Sequence, residues 1–248
     1  LIDEQQEITI MSSNQKVAVV TGGNRGLGLE ASRQLAKKGY QVILTSRHEA
    51  KGNAAAQQLQ AEGLNVISYP LDVTSDESSR KLAEFIRQRF GKLDVLVNNA
   101  GIYIDGQANE NSIFNAKIDT LRQTMETNVY GVLRVTQALI PIMKKQNYGR
   151  IVNVSSGMGQ LTDMEGGSTG YRVSKTALNA LTRIFASELK GTNILINSVC
   201  PGWVKTDMGG QDATLTPEQG VDTIVWLATL ADDGTTGGFF HDRQLIDW

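Results

Sequence analysis

The stretch TGGNRGLG at residues 21–28 directly follows the apolar run KVAVV at residues 16–20. Half of its residues are glycine. An apolar run that breaks into glycines reads as a strand turning sharply into a helix, with side chains kept away where something passes close to the backbone. Beyond the carboxyl end of such a strand, the free N–H groups and positive dipole end of the following helix favour an anionic group. A tight strand-to-helix connection also needs glycine for its own packing, so the neighbouring segments decide the meaning of this one.

Those segments alternate. YQVILTS (40–46), NVISYPLD (65–72), LDVLVN (93–98), RIVNVSS (150–156) and NILINSV (193–199) read as strands, with GGFF (237–240) as a last one. Their near-continuous apolar character suits strands buried on both faces. Between them the spacing predicts helices over residues 30–38, closed by Gly39, and over 49–63. A third starts near Thr74, with Leu82, Phe85, Ile86 and Phe90 at helical spacing. Three more are predicted over 121–145 around Pro141, over 171–189, and over 216–230, entered at Thr216-Pro217. Strict alternation implies an α/β fold: a single-domain, doubly wound (Rossmann-type) parallel sheet with helices on both faces. Residues 1–10 are set apart as an N-terminal extension ahead of Met11, a candidate natural start, and residues 11–248 are read as the domain.

The chain has 248 residues, enough for one large α/β core. Its 24 Lys and Arg nearly balance 26 Asp and Glu and form no basic stripe, so no nucleic-acid partner is expected. No apolar run approaches the roughly 18 residues a membrane helix needs, so no membrane partner is expected either. The first residues lack the basic and apolar pattern of a secretory signal. One cysteine, Cys200, cannot form an internal disulfide. That suits a reducing cytoplasm, and the residue reads as a small buried apolar side chain. His48 and His241 stand alone, so no metal site is expected.

The glycine spacing is T-G-x-x-x-G-x-G, not the G-x-G-x-x-G of other dinucleotide folds. In order after it come LDVT (71–74), NNAG (98–101), Asn128 in METNVYG, NVSS (153–156), YRVSK (171–175) and PGWVKT (201–206). On these motifs the sequence, from Lys16 to about Met208, resembles the short-chain dehydrogenases/reductases, in particular their carbonyl-reductase-like branch. The resemblance implies an NADP-dependent oxidoreductase acting on carbonyl and CH–OH groups. Such an enzyme reduces ketones and aldehydes by hydride transfer and works in reverse as an alcohol dehydrogenase.

The tip of the second strand carries Ser46 and Arg47 and no carboxylate, and Arg25 sits inside the glycine turn. A carboxylate there would repel a ribose 2′-phosphate, whereas guanidinium groups bind phosphate by charge-assisted hydrogen bonds. NADP(H) is therefore the expected cofactor, with an Arg47–Glu49 surface pair as the alternative use of that cation. The resemblance adds Gly22, Asn24, Gly26, Leu27 and Gly28 around the pyrophosphate, and Asp72 and Val73 at the adenine. It also places Asn99, Ala100 and Gly101 along the cofactor, and Pro201, Gly202, Val204 and Thr206 at the nicotinamide end.

Tyr171 and Lys175 stand four apart on a predicted helix, so both lie on one face. A neighbouring ammonium and an oxidised nicotinamide both favour the phenolate, which leads to the expectation that Tyr171 titrates below the usual tyrosine range. Tyr171 is then placed to pass a proton to or from a substrate oxygen. By resemblance, Lys175 also holds the nicotinamide ribose, Ser156 orients the substrate oxygen, and Asn128 fixes a water behind Lys175. Adjacent strand residues face opposite sides, so only one of Ser155 and Ser156 serves, and the resemblance favours the second. Ile102, Tyr103, Met158, Leu161, Met164, Trp203 and Met208 form the candidate pocket wall, mainly apolar, which suits a hydrophobic small-molecule carbonyl substrate. The glycines at 209 and 210 suggest a mobile cover over residues 203–216.

Two other functions fit parts of the pattern. A 3-oxoacyl-(acyl-carrier-protein) reductase would use Lys144, Lys145 and Arg150 to meet an acidic carrier, although the ending TTGGFFHDRQLIDW departs from that branch. A non-catalytic NADPH-binding sensor would typically lack the Tyr or the Lys. A homo-oligomer, dimer or tetramer, is within the family's range.

Overall fold

A computed structural model describes residues 15–106 and 112–248; the extension at residues 1–10 and Met11 lie outside the described residues. The sheet has eight strands in the order β3-β2-β1-β4-β5-β6-β7-β8. These are β1 (Val17–Val20), β2 (Gln41–Ser46), β3 (Val66–Pro70), β4 (Val95–Asn98), β5 (Gly149–Val154), β6 (Ile194–Val199), β7 (Phe239–His241) and β8 (Gln244–Ile246). All neighbours pair in parallel except β7 with β8. Helices α1 (Gly26–Lys37), α2 (Glu49–Ala61), α3 (Asp76–Arg89), α4 (Ile118–Met125), α5 (Gly131–Gln146), α6 (Thr169–Glu188), α7 (Pro217–Gly220) and α8 (Asp222–Ala228) form the connections.

The apolar strands are buried on both faces because alternate side chains enter opposite cores. In β1, Ala18 and Val20 join Leu35, Leu44 and Ile224 on one side. Val17 and Val19 join Leu96, Leu139 and Met143 on the other. A polar chain ties the middle of the sheet to its helices. Asn98 Nδ2 donates to Thr136 Oγ1 (3.0 Å) and Asn153 Oδ1 (2.9 Å), and Asn153 Nδ2 donates to Thr182 Oγ1 (2.8 Å). Buried side-chain hydrogen bonds of this kind fix register as well as stability.

Three elements differ from the sequence reading. The helix expected over 121–145 begins earlier and is interrupted: α4 widens into a π turn at Glu126–Tyr130 before α5 resumes. The helix expected over 216–230 divides at Val221 into α7 and α8. There Gly220 lies so close to Val204 that an added Cβ would fall 2.5 Å from its side chain. The short, largely exposed β8 carries no apolar run to announce it. No helix among the described residues is long and apolar enough to cross a membrane.

Strand order reverses direction between β1 and β4, and the crevice at such a switch point is where open α/β sheets bind ligands.

Candidate active site

A cavity of about 680 Å³ opens at this switch point, beyond the carboxyl ends of β1, β4, β5 and β6. Every residue anticipated for the cofactor lines it: Gly22, Asn24 to Gly28, Ser46, Arg47, Asp72, Val73, Asn99 to Gly101, Tyr171, Lys175, Pro201, Gly202, Val204 and Thr206.

The glycines at its floor have two separate uses. Gly22 (φ +63°) and Gly26 (φ +53°) take left-handed conformations that turn the chain from strand to helix. Gly28 serves packing: a Cβ there would lie 2.4 Å from the Gly22 carbonyl oxygen and 2.5 Å from Asn99 Nδ2. Asn99 Nδ2 donates to the Thr21 carbonyl at 2.9 Å, locking β4 to the turn. α1 starts with no side-chain cap and no acid in its first turn. Its N-terminal N–H groups and dipole are thus left available to an anion at the cavity.

At one end of the cavity stand exposed cations. Arg47 makes no ion pair among the described residues, so the expected alternative of an Arg47–Glu49 pair is absent there. Lys51, in the first turn of α2, lines the same end and was not singled out from sequence; its place four residues after Arg47 is the signal that could have found it. Ser46 is buried and hydrogen-bonds the His48 main chain, holding the strand tip. Asp72 forms an Asx turn by accepting from Thr74 N (2.9 Å) and Oγ1 (2.7 Å), while Ser75 caps α3. Arg25 pairs with Asp207 at 2.6 Å across the cavity mouth, a partner unseen in the sequence.

At the other end the polar groups are buried. Tyr171 and Lys175 project from α6, and Lys175 Nζ donates to the Val154 carbonyl at 2.8 Å, with the Tyr171 ring 5.4 Å away. Burial drives both groups toward their neutral forms. The Lys175 ammonium is pushed down to about 8. The Tyr171 phenol is pushed well above the usual tyrosine range by burial, against a lowering contribution from Ser156. Among the protein's own groups this runs opposite to the sequence expectation for Tyr171. Pairing it with an ammonium took account of charge and left out desolvation, which is the larger effect here.

Ser155 and Ser156 both line the cavity; Ser156 Oγ accepts from Met158 N at 3.1 Å, whereas Ser155 is buried with its hydroxyl directed at the Lys175 carbonyl (3.4 Å). Asn128 lies in the π turn, fully buried and outside the cavity lining. Its Oδ1 accepts from Ile102 N (2.8 Å), and its Nδ2 donates to Ile102 O (2.9 Å) and Ser174 Oγ (3.1 Å). Both amide hydrogens are therefore committed to protein.

Ile102, Tyr103, Met158, Trp203 and Met208 line the cavity as expected. Leu161 and Met164 are exposed and do not. The N–H groups of Leu161 and Thr162 donate to the Trp248 carbonyl, which draws this part of the loop toward the C-terminal strands. The 203–216 segment is tied internally. Trp203 Nε1 donates to Gly209 O (2.8 Å), and Val204 bridges to Leu215. Arg150, considered for carrier recognition, is fully buried and donates to Leu230 O, Asn193 O and Asp232. It sits at the start of β5, away from the cavity, so it offers no surface to a carrier.

A family model described as short chain dehydrogenase matches residues 16–215. The chain is 37% identical to carbonyl reductase 1 (NADPH) of Bos taurus, over 96% of this chain and all of the relative. Among solved structures, NADPH-bound carbonyl reductase from chicken fatty liver superposes with a TM-score of 0.83 at 30% identity, over 94% of this chain and 99% of that one. Salutaridine reductase from Papaver somniferum gives a TM-score of 0.81 at 31% identity, over 92% of this chain and all of that one. With this fold, this cavity and these matches, the chain belongs to the short-chain dehydrogenase/reductase family, among its carbonyl-reductase-like members.

Proposed function

We propose that the protein is an NADPH-dependent reductase of ketones and aldehydes, working in reverse as an alcohol dehydrogenase, with Tyr171 as the proton donor. The observation that carries this reading is that one continuous cavity joins an exposed cationic end to a buried tyrosine–lysine pair.

The residues fit the cofactor. The glycine turn and the open N-terminus of α1 hold the pyrophosphate, and Arg47, Arg25 and Lys51 take the 2′-phosphate. Asp72 and Val73 border the adenine, Asn99 to Gly101 run along the cofactor, and Pro201, Gly202, Val204 and Thr206 meet the nicotinamide end. Lys175 holds the ribose hydroxyls. When bound, the cofactor supplies the hydride. Tyr171 donates its proton to the substrate oxygen, and Ser156 orients that oxygen by a hydrogen bond. Burial keeps Tyr171 in the protonated form that reduction requires. Lys175 stabilises the phenolate left after transfer. We assign to Asn128 the fixing of a relay water behind Lys175. The apolar wall selects hydrophobic carbonyl compounds. The single cysteine supports placing the enzyme in a reducing compartment, the cytoplasm.

The test is NADPH consumption, followed by absorbance, against aryl ketones, diketones, quinones and acyl thioesters. Turnover is expected with the hydrophobic carbonyls. Tight NADPH binding without any turnover would favour the sensor reading, and a preference for acyl thioesters the carrier-protein reductase.

A further inference from the structure

The loop after β4 contains a carboxylate that the reaction as described does not use. Asp105 is only 2% exposed. Its Oδ2 accepts from the main-chain N–H of Gly170 at 2.6 Å and of Tyr171 at 3.3 Å, in the first turn of α6. Its Oδ1 is buried with no hydrogen-bond partner among the described residues. The neighbouring residue of α6 leaves room for it: a Cβ on Gly170 would lie 3.1 Å from Oδ2. The same loop touches the phenol directly. The Tyr103 ring lies 4.7 Å from the Tyr171 ring, and its hydroxyl is 2.7 Å from Ser168 Oγ. Asn128 anchors the loop's other end by gripping both main-chain groups of Ile102.

We propose that Asp105 is a positioning residue for Tyr171: its buried carboxylate caps the helix that carries the proton donor and fixes the phenol against the substrate oxygen. A carboxylate at a helix N-terminus satisfies free N–H groups and complements the dipole. Here those N–H groups belong to the reacting residue and the one before it, so a shift of the cap is a shift of the phenol. The charge acts on the same group. Tyr171 is faced by Lys175 from its own helix, by Tyr103 and Asp105 from the loop after β4, by Cys200 from the loop after β6, and by Ser156. Among these, Asp105 adds to burial in disfavouring the phenolate. The proposal rests on the reading of Tyr171 as proton donor.

The experiment compares Asp105→Asn, Asp105→Ala and Tyr171→Phe with the parent enzyme, all checked for fold by circular dichroism. The readouts are kcat, KM, NADPH affinity and the pH midpoint of alcohol oxidation. Misplacing a reacting group by about 1 Å can cost about 10²-fold. A fall in kcat of about 10- to 100-fold is therefore expected in Asp105→Ala and a smaller fall in Asp105→Asn, with KM and NADPH affinity within about 2-fold of the parent. Removing the charge should also move the oxidation midpoint to lower pH in Asp105→Asn, which a purely structural cap would not do. Asp105→Asn keeps an acceptor for the two N–H groups, so it reads the proposal if the alanine variant does not fold. Unchanged kcat and pH midpoint in Asp105→Asn, beside an inactive Tyr171→Phe, would overturn the positioning role alone. Loss of NADPH affinity in step with kcat would overturn it too. An active Tyr171→Phe would instead overturn the proton-donor reading.

Discussion

At the Arg25–Arg47 end of the cavity the charged groups stand in water, and at the Tyr171–Lys175 end they are buried. The side chains of Arg25 and Asp207 are 72% and 74% exposed, whereas Lys175 is 5% exposed and Tyr171 8%. Exposed cations act by attracting a charged ligand, each adding its increment to binding. Buried groups have their protonation set by desolvation, which here leaves a neutral phenol beside a lysine titrating near 8. Changes at the first end should therefore alter which cofactor binds, and changes at the second should alter what the bound complex does.

The largest effect separating the two ends is expected from Tyr171→Phe. The ring and its packing on Tyr103 remain, and only the donor is lost. General acid catalysis is worth about 10²–10⁴-fold, so kcat for ketone reduction should fall by that range. A variant retaining more than about a tenth of parental kcat would need another donor, with Ser156 the first to examine.

Arg47→Ala should do the opposite. A hydrogen bond to a charged group contributes about 1.5–3 kcal/mol, so NADPH should bind about 10- to 150-fold more weakly while NADH is little affected. Equal kcat/KM for NADPH and NADH in the parent would remove the basis of this contrast.

The pH dependence sharpens the comparison. Tyr171 stays protonated well past neutrality, so the supply of protons does not limit reduction at neutral pH. Lys175 loses its charge as pH rises through about 8. Reduction should then be flat from about pH 6 to 7.5 and decline above, while alcohol oxidation, which needs the phenolate, should rise with pH. Rate profiles at saturating cofactor in both directions check this, and a decline in reduction between pH 6 and 7 contradicts it.

The smallest effect is expected at the cavity mouth. Exposed ion pairs contribute about 0–1 kcal/mol, so freeing Arg25 by Asp207→Ala should tighten NADPH by at most about 5-fold and leave kcat unchanged. A titration of NADPH fluorescence reads this directly, and weaker binding would show that the pair preorganises Arg25.

The difference between the two ends also governs what could be read before folding. The glycine turn, the apolar strands and Arg47 are local patterns whose meaning does not depend on depth. Tyr171 and Lys175 could be placed on one face by spacing, but the direction of the tyrosine shift depends on burial, which no pair of residues encodes. Asp105 sits in GIYIDG without periodic context, and only the docking of α6 on the loop after β4 gives its carboxylate two N–H partners. The π turn is equally hidden, because the 121–145 stretch keeps helical periodicity through it. Leu161 and Met164 were equally out of reach: apolar character suggested a pocket wall, while both are exposed and the Leu161 N–H is held by the Trp248 carbonyl.

The most direct measurement places Arg47→Ala and Tyr171→Phe on one plot of NADPH dissociation constant against kcat at saturating NADPH and ketone. If the two ends are separable, Arg47→Ala moves along the affinity axis alone, by about 10- to 150-fold. Tyr171→Phe then moves along the kcat axis alone, by about 10²–10⁴-fold. Both variants falling on a common diagonal, losing affinity and turnover together, would contradict the division of the cavity into a charged binding end and a buried proton-transfer end.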